Sequence, residues 1–426
     1  MIQTRSSASV NTNDTVKART HPTRVGIFYP ADPAGHIPGG IDTIIRGILK
    51  WAPEDIDYTL FGATSDPEQR PVGQEASVSL GNKTIRFIPI VSADPSGRRK
   101  LVPLTIRYML VLRRYIRQGR LDHLDILDFH RVEPLALFRK DHRPKNVMIH
   151  QDMEVIRSKD ADIGWRYAPW LYEAIERRLF RKANHVFCVR QSAVARYRRV
   201  YADSADRFSF IPTWVDTTIF HPLQDTSQSQ NSMRMLDIRF GVSQSAQLLV
   251  WVGRLDRQKD PVLLLDAIKV AVTTQPEIHL LMIGDGILRQ QIEAQIKSLE
   301  LAKHVTLCGA IPPSQIAEIL QIADLFVLSS AYEGMPIVVL EALASGVPVV
   351  TMEVGEVRLV IDDGIDGFVV TERSPDALGG AICNALSLGD AIRGHACIEA
   401  VDAYTPERVL QNIYDNHRAQ AAQRHR

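Results

Sequence analysis

The stretch "DLFVLSSAYEGMPIVVLEALASGVPVV", Asp324–Val350, reads as strand, turn, helix and strand. Asp324–Ser330 is a short apolar run of the kind buried in a parallel sheet. "AYEGMP" is a turn, and Pro336 suits the first turn of a helix that runs to about Ser345. Gly346 is placed to end that helix, and "VPVV" begins the next strand. Buried strands alternating with helices imply a parallel α/β sheet. The helix is apolar on all its faces, which normally means burial. Yet Glu341 stands in it, the only ionisable residue of Ile337–Ala344. A buried carboxylate is costly unless something pairs with it. A second acid, Glu333, lies in the turn, with seven residues between the two.

The same alternation extends through the chain. Strand runs "QLLVWVG", "HLLMIGD" and "HVTLCGA" precede the opening stretch, each followed by a helical pattern, and "DGFVV" and a helix over 374–388 follow it. A last helix starts with Thr405 at the cap and Pro406 at the first helical position. The first half repeats the theme with "RVGIFYP", "DYTLFGA", "IRFIPIV", "LDILDFH", "NVMIHQD" and "NHVFCVR". "FIPTWVDTTIFHP" (210–222) reads as a crossing segment and "LQDTSQSQNSM" as an exposed loop. The expected organisation is a disordered tail over 1–22, one Rossmann-like domain over 23–212, a linker over 213–233 and a second such domain over 234–400. In doubly wound sheets ligands bind beyond the carboxyl ends of the strands, so the loops after strands are where chemistry is expected.

A chain of 426 residues, 45% hydrophobic and 23% charged, suits two soluble domains. Its formal net charge of +1 implies no whole-chain attraction to nucleic acid. Cys188, Cys308, Cys383 and Cys397 lack CxxC spacing and read as reduced, buried thiols. No apolar run reaches the roughly 18 residues of a membrane span. The polar first 22 residues lack an apolar signal core, so a cytosolic location, or the cytosolic face of a membrane, is expected.

Three strand-end loops carry candidate ligand groups. Gly39 and Gly40 precede a helix whose N-terminus favours anions; any tight strand–helix turn uses glycine equally well. In "VGRLDRQKD", Arg254 and Lys259 suit a diphosphate, Arg as a fork and Lys as a point charge, or are ordinary surface charge. The turn holding Glu333 opens onto the free amides of Ile337 and Val338, a potential anion site. Taken separately, Glu333 suits the helix dipole and Glu341 a buried ion pair; neither role explains both. "GDG" (284–286) lacks the GxGxxG pattern. "DID" (55–57) and "DAD" (160–162) read as solvated loops and not as a metal site. His130 and His150 each end a strand-like run on the cleft side of the first half.

Together these residues resemble a known family. "EGMPIVVLEALASGVPVV" is similar to the E-x7-E signature of retaining glycosyltransferases of the GT-B fold, in particular family 4, and the resemblance covers about 24–420. "VGRLDRQKD", "FIPTWVDTTIFHP" and "GEVRLVIDDGIDGFVV" look like further segments of that family. The resemblance implies an acceptor-side first domain, a second domain that binds a nucleotide sugar, and a helix over 401–426 crossing back to the first. It implies that Glu333 contacts hydroxyls of the transferred sugar and that Glu341 holds the ribose. Arg254 and Lys259 would bind the diphosphate, aided by amides of Gly334, Met335, Pro336, Ile337 and Val338, although Pro336 itself has no N–H to offer. Gly39 and Gly40 would approach from the first domain, and His130 would stand beside the sugar. Departures are Pro-Thr-Trp-Val-Asp at 212–216, where the family usually has Asn-Gly, and the late position of the glycine pair.

The implied activity is transfer of a hexose-type sugar from a nucleoside diphosphate sugar to a glycan or lipid-linked acceptor, without metal or further cofactor. An epimerase, a phosphorylase or a non-catalytic nucleotide-sugar binder are alternatives on the same fold. Residues 98–120, "RRKLVPLTIRYMLVLRRYIRQGR", carry eight Lys/Arg and no acid, as an anionic membrane surface or a plain solvated face would require. No nucleic-acid-binding module is recognisable.

Overall fold

The structure is a computed structural model that describes residues 21–35, 40–93, 102–150, 169–223 and 239–424. The first half runs β1 (Thr23–Phe28), α1 (Gly40–Lys50), β2 (Ile56–Thr64), β3 (Ala76–Leu80), β4 (Lys83–Ser92), α2 (Leu104–Arg117), β5 (Ile126–Phe129) and α3 (Val132–Leu135). It continues with β6 (Lys145–Ile149), α4 (Pro169–Phe180), β7 (His185–Cys188), α5 (Gln191–Val200) and β8 (Phe208–Phe210). The second half runs β9 (Gln247–Val252), α6 (Pro261–Thr274), β10 (Ile278–Ile283), α7 (Arg289–Ser298), β11 (Val305–Gly309) and α8 (Pro313–Leu320). Then come β12 (Leu325–Leu328), α9 (Ile337–Ala344), β13 (Val349–Met352), β14 (Gly367–Val370), α10 (Pro375–Leu388), α11 (His395–Ala400) and α12 (Pro406–Arg424).

Among the described residues, the second sheet has the order β11-β10-β9-β12-β13-β14, parallel throughout. The first has the order β3-β4-β2-β1-β5-β6-β7-β8. Each is doubly wound, with its direction of growth reversing once, between β1 and β5 in the first and between β9 and β12 in the second. Every residue of β5, β10, β12 and β13 is buried, which is why these segments read as mostly apolar runs, with Asp128, His279 and Thr351 as the polar exceptions. The first sheet departs from a purely parallel arrangement at its edge. β3 pairs antiparallel with β4. Its sequence, Ala-Ser-Val-Ser-Leu, buries one residue of five, so it has no apolar run to announce it. The four cysteines are unbonded; Cys188 and Cys397 are buried, and Cys308 and Cys383 only partly so.

Helix α12 packs on the first sheet, although it follows the second in sequence. Val409, Leu410, Ile413, Tyr414 and Ala421 join the apolar cluster beneath β1, β2 and α1. Tyr414 donates to Ile48 O at 2.9 Å, and Gln420 donates to Asn146 Oδ1 at 2.7 Å. Between these lies a buried polar chain. His417 Nε2 stands 3.3 Å from Asp128 Oδ2, and Tyr58 Oη lies 2.8 Å from His417 Nδ1. With Nε2–H facing the carboxylate, Nδ1 is the acceptor and the Tyr58 hydroxyl donates. Burial by itself would raise the Asp128 carboxyl; the adjacent His417 N–H holds it below the usual range instead.

A lowered carboxyl contributes stability at neutral pH that is lost as pH falls through its folded value. His417→Leu should destabilise the fold by about 3–5 kcal/mol at pH 7, because it strands a buried charge. Adding Asp128→Asn should recover part of that loss. Urea unfolding of the two variants is the measurement, and equal stability of single and double variants would contradict the pairing.

Candidate functional site

Because the second sheet grows outward in both directions from β9 and β12, the loops leaving those two neighbours part to opposite sides and open a crevice. The loop after β9 carries Arg254 and Lys259, and the loop after β12 carries Glu333. Lys259 Nζ meets Glu333 Oε1 across the crevice at 2.6 Å, with side chains 16% and 10% exposed. Ser330 Oγ donates to the same oxygen at 2.8 Å. The backbones are stitched below this pair. Ala331 N–H donates to Gln258 O at 2.7 Å, Gln258 Nε2 to Tyr332 O at 3.3 Å, and Ser329 Oγ to Lys259 O at 2.8 Å. Asp260 turns the chain with φ of +43°, then caps α6 by accepting from Leu263 N–H at 3.2 Å.

Glu341 lies in the second turn of α9, which starts at Ile337 after Pro336 with no side chain capping its amides. It retains partial contact with solvent, and among the described residues no donor bonds its carboxylate. Burial pushes its carboxyl up to about 7, and Lys259 pulls in the opposite direction. One ammonium therefore serves two carboxylates, by contact with Glu333 and at longer range with Glu341. The sequence did not foretell this pairing of Lys259 with Glu333. Arg254 is placed differently: its side chain is 73% exposed, 3.1 Å from Asp256 and 3.4 Å from Gln258 Oε1.

Gly334 and Met335 bind the loop to its surroundings. Gly334 O accepts from Glu356 N–H at 2.9 Å, and Met335 O from Thr213 Oγ1 at 3.3 Å. Gly355, at φ +52°, packs so closely that a Cβ there would stand 1.8 Å from Gly334 O. The first domain reaches this point too. Val189, just past β7, lies 3.9 Å from where a Gly334 Cβ would be, and Gln191 N–H donates to Glu356 Oε1 at 2.8 Å.

His130 follows β5 at the corresponding reversal of the first sheet and is 2% exposed. Its Nδ1 lies 3.0 Å from His150 Nε2, the rings stacked at 5.2 Å. Burial pushes His130 down to about 4, against the opposing pull of Asp128, and drives His150 well below its ordinary value. Both are neutral at pH 7, and His130 Nε2 and His150 Nδ1 are buried without a partner among the described residues. One of these two atoms must be an N–H and the other a lone pair. Gly40 opens α1, and Gly39 lies outside the described residues. The loop before them is held by Asp32, which accepts from Ser65 N–H and Oγ–H at 2.7 and 2.6 Å and from Arg70 at 3.2 Å. The acids of "DID" are not free in a solvated loop: Asp57 sits in β2 against Arg86, and Asp55 binds Arg418 of α12. "DAD" (160–162) lies outside the described residues. Ser330, Gln258 and Asp32 were not among the sequence candidates. Ser329–Ser330, a polar pair ending an apolar strand, was a visible signal; the others left none.

Two domains of parallel α/β type, each with ligand loops at the reversal of its sheet, define the class as GT-B. Residues 38–219 match the family model of Glycosyltransferase Family 4, and residues 238–401 that of Glycosyl transferases group 1. The chain belongs to the group 1 glycosyltransferases of GT-B fold. It is 28% identical over 225 residues to the D-inositol 3-phosphate glycosyltransferase of Segniliparus rotundus, covering 51% of this chain and 48% of that one. The chain thus spans about half the length of the first curated relatives it matches. It is 22% identical over 316 residues to the alpha-monoglucosyldiacylglycerol synthase of Acholeplasma laidlawii, covering 69% and 78%. Among solved structures, sucrose-phosphate synthase from Thermosynechococcus elongatus superposes with a TM-score of 0.75 at 18% identity, covering 94% of this chain and 100% of that one. Anabaena HepE in complex with UDP superposes with a TM-score of 0.69 at 18% identity, covering 93% and 100%.

The raised Glu341 carboxyl makes a prediction for the unliganded protein. Folding favours its protonated form, so the penalty is absent below the ordinary value of 4.5 and grows as pH rises towards about 7. Glu341→Gln should stabilise the protein by on the order of 2 kcal/mol at pH 8, an amount discounted for residual solvent contact, and change little at pH 4. Urea midpoints at the two pH values test this; a pH-independent effect would show that ionisation is not the cause.

Proposed function

We propose that this protein transfers a hexose-type sugar from a nucleoside diphosphate sugar to a glycan or lipid-linked acceptor, with retention at the anomeric carbon and without a metal. The observation that carries this reading is Lys259 poised between Glu333 and Glu341 beside the uncapped start of α9. An incoming diphosphate competes for the ammonium. Once Lys259 turns to phosphate, Glu333 is released to accept from sugar hydroxyls. Glu341 lacks a donor in the free protein and accepts from the two ribose hydroxyls. Arg254, exposed and loosely held, swings in as a fork on the phosphates. Among the described residues no group of three or more His, Cys, Asp or Glu is arranged to hold a metal ion.

The chemistry balances as follows. The acceptor oxygen attacks the anomeric carbon on the face from which the phosphate departs. The carbon–oxygen bond to the diphosphate breaks, and the released phosphate oxygen takes the acceptor's proton. Negative charge growing on that phosphate is stabilised by Lys259, Arg254 and the amides of Ile337 and Val338. Neutral His130, with its free ring nitrogen, meets the sugar from the first domain. The UDP named in the HepE structure supports a nucleoside diphosphate donor.

A nucleoside diphosphate and nucleotide-sugar panel read by thermal shift, followed by donor cleavage assays, tests the reading. Glu341→Ala should weaken nucleoside diphosphate binding by about 1.5–3 kcal/mol, the range for hydrogen bonds to a charged group. Glu333→Gln should spare that binding and lower kcat about 100-fold, the scale on which misplaced substrate acts. If no nucleotide sugar is bound or cleaved, with or without acceptors, the proposal fails.

An anionic membrane surface is part of the same proposal. Helix α2 turns Tyr108, Leu112 and Tyr115 inward. Outward it shows Ile106 at 51% and Leu110 at 61% exposure, followed by exposed Arg113, Arg114 and Arg117. Apolar tips beside cations suit an anionic lipid surface. Residues 98–101 of the basic stretch lie outside the described ones. No helix among the described residues is long and apolar enough to cross a membrane. Reversing the charge of Arg113, Arg114 and Arg117 should reduce binding to anionic liposomes at low salt, measured by co-sedimentation; unchanged binding would remove α2 from this role.

A further inference from the structure

Arg373 lies in the loop after β14, three residues beyond the strand, and forms its hydrogen bonds and ion pair with groups other than the Lys259 and Glu333 side chains. Its guanidinium nevertheless gathers the backbones that carry both. Nη1 donates to Ser330 O at 3.0 Å, and Nη2 donates to Ser329 O at 2.9 Å and to Asp260 Oδ2 at 2.6 Å. Two of these acceptors immediately follow β12, and the third belongs to the residue that follows Lys259. Ser330 is also the residue whose hydroxyl holds Glu333. Asp260 sits in the left-handed region at φ +43°, a conformation that persists in a non-glycine residue only where neighbours over-determine it. The cap to Leu263, the bond from Asp260 N–H to Asp256 O at 3.2 Å and the contact with Arg373 supply the constraints.

We propose that Arg373 is a positioning residue: resting on the donor reading given above, it sets the spacing of Lys259 and Glu333 and so determines how well the site grips a diphosphate. A planar fork with several fixed donors can hold two carbonyls and a carboxylate at once, which a lysine ammonium on a flexible stem cannot do with the same geometry. Without it, the Lys259 backbone is tied to β12 through Ser329 Oγ, and Asp260 is released to relax towards an ordinary conformation. The ammonium then loses its fixed place over the crevice. Glu341 is carried by α9 and shares none of these three bonds, so contacts to the ribose persist.

The discriminating quantity is the ratio of affinities for nucleoside diphosphate and the matching monophosphate, measured by calorimetry well below the melting temperature of each variant. Arg373→Ala should lower that ratio about tenfold while leaving monophosphate affinity within about twofold. Arg373→Lys keeps charge and bulk should the alanine variant fold poorly, and it should lower the ratio about threefold to tenfold. Asp260→Asn should shift the ratio in the same direction. If the arginine only stabilises the fold, both Arg373 variants would melt at lower temperature with the ratio at the parent value; that result overturns the inference. Failure of the parent to bind any nucleotide would overturn the donor reading instead, so the two failures are distinguishable.

Discussion

The ammonium of Lys259 and the carboxylate of Glu333 lie 2.6 Å apart, mostly enclosed, at the reversal point of the second sheet. Enclosure is what gives this contact its consequence. An exposed pair of this kind would contribute little. Removed from water, each charge needs the other, and a ligand that takes one must leave the other satisfied. Glu341 adds a second carboxylate within the field of the same cation, so the free site holds one positive charge against two acids. On the proposed function, a nucleoside diphosphate sugar would offer phosphates for the cation and hydroxyls for both acids. The free protein is thus short of what such a molecule supplies.

The architecture around that pair is built to keep it in place. Gln258, Ser329, Ser330 and Arg373 tie together two loops that have only the sheet in common otherwise. The apolar faces of α9 set the distance between Glu333 and Glu341 by burying Val339, Leu340, Ala342 and Leu343 in the core. The first domain meets the same region through Val189 and Gln191, and the linker through Thr213. Contacts between the halves therefore gather where a ligand would be bound. Helix α12 returns to the first sheet and is fastened there by the Tyr58–His417–Asp128 chain, two residues below His130 on β5.

Much of this was legible before any coordinates. The strand–helix alternation, the Pro336 start of α9 and the Gly346 stop are local properties, set by backbone chemistry and apolar burial within a few residues. They placed Glu333 in a turn and Glu341 one helix turn further in, and both are found there. The resemblance of "EGMPIVVLEALASGVPVV" pointed to the right family because that segment combines strand, turn and helix constraints in one short run. β3 escaped because an edge strand needs only one buried residue to hold it.

Pairing is where sequence ran out. Residues 259 and 333 are joined because β9 and β12 are sheet neighbours, a fact of topology that no local pattern encodes. Nothing local marks Arg373, and only the return of β14 beside β13 carries it over Ser329 and Ser330. The same holds for His417, which meets Asp128 across most of the chain. Sequence by itself determined the elements, the family and the residue types of the site, because those depend on short-range sterics and burial. Tertiary structure alone decided which charges share a partner, because that depends on which distant loops a doubly wound sheet brings to one edge.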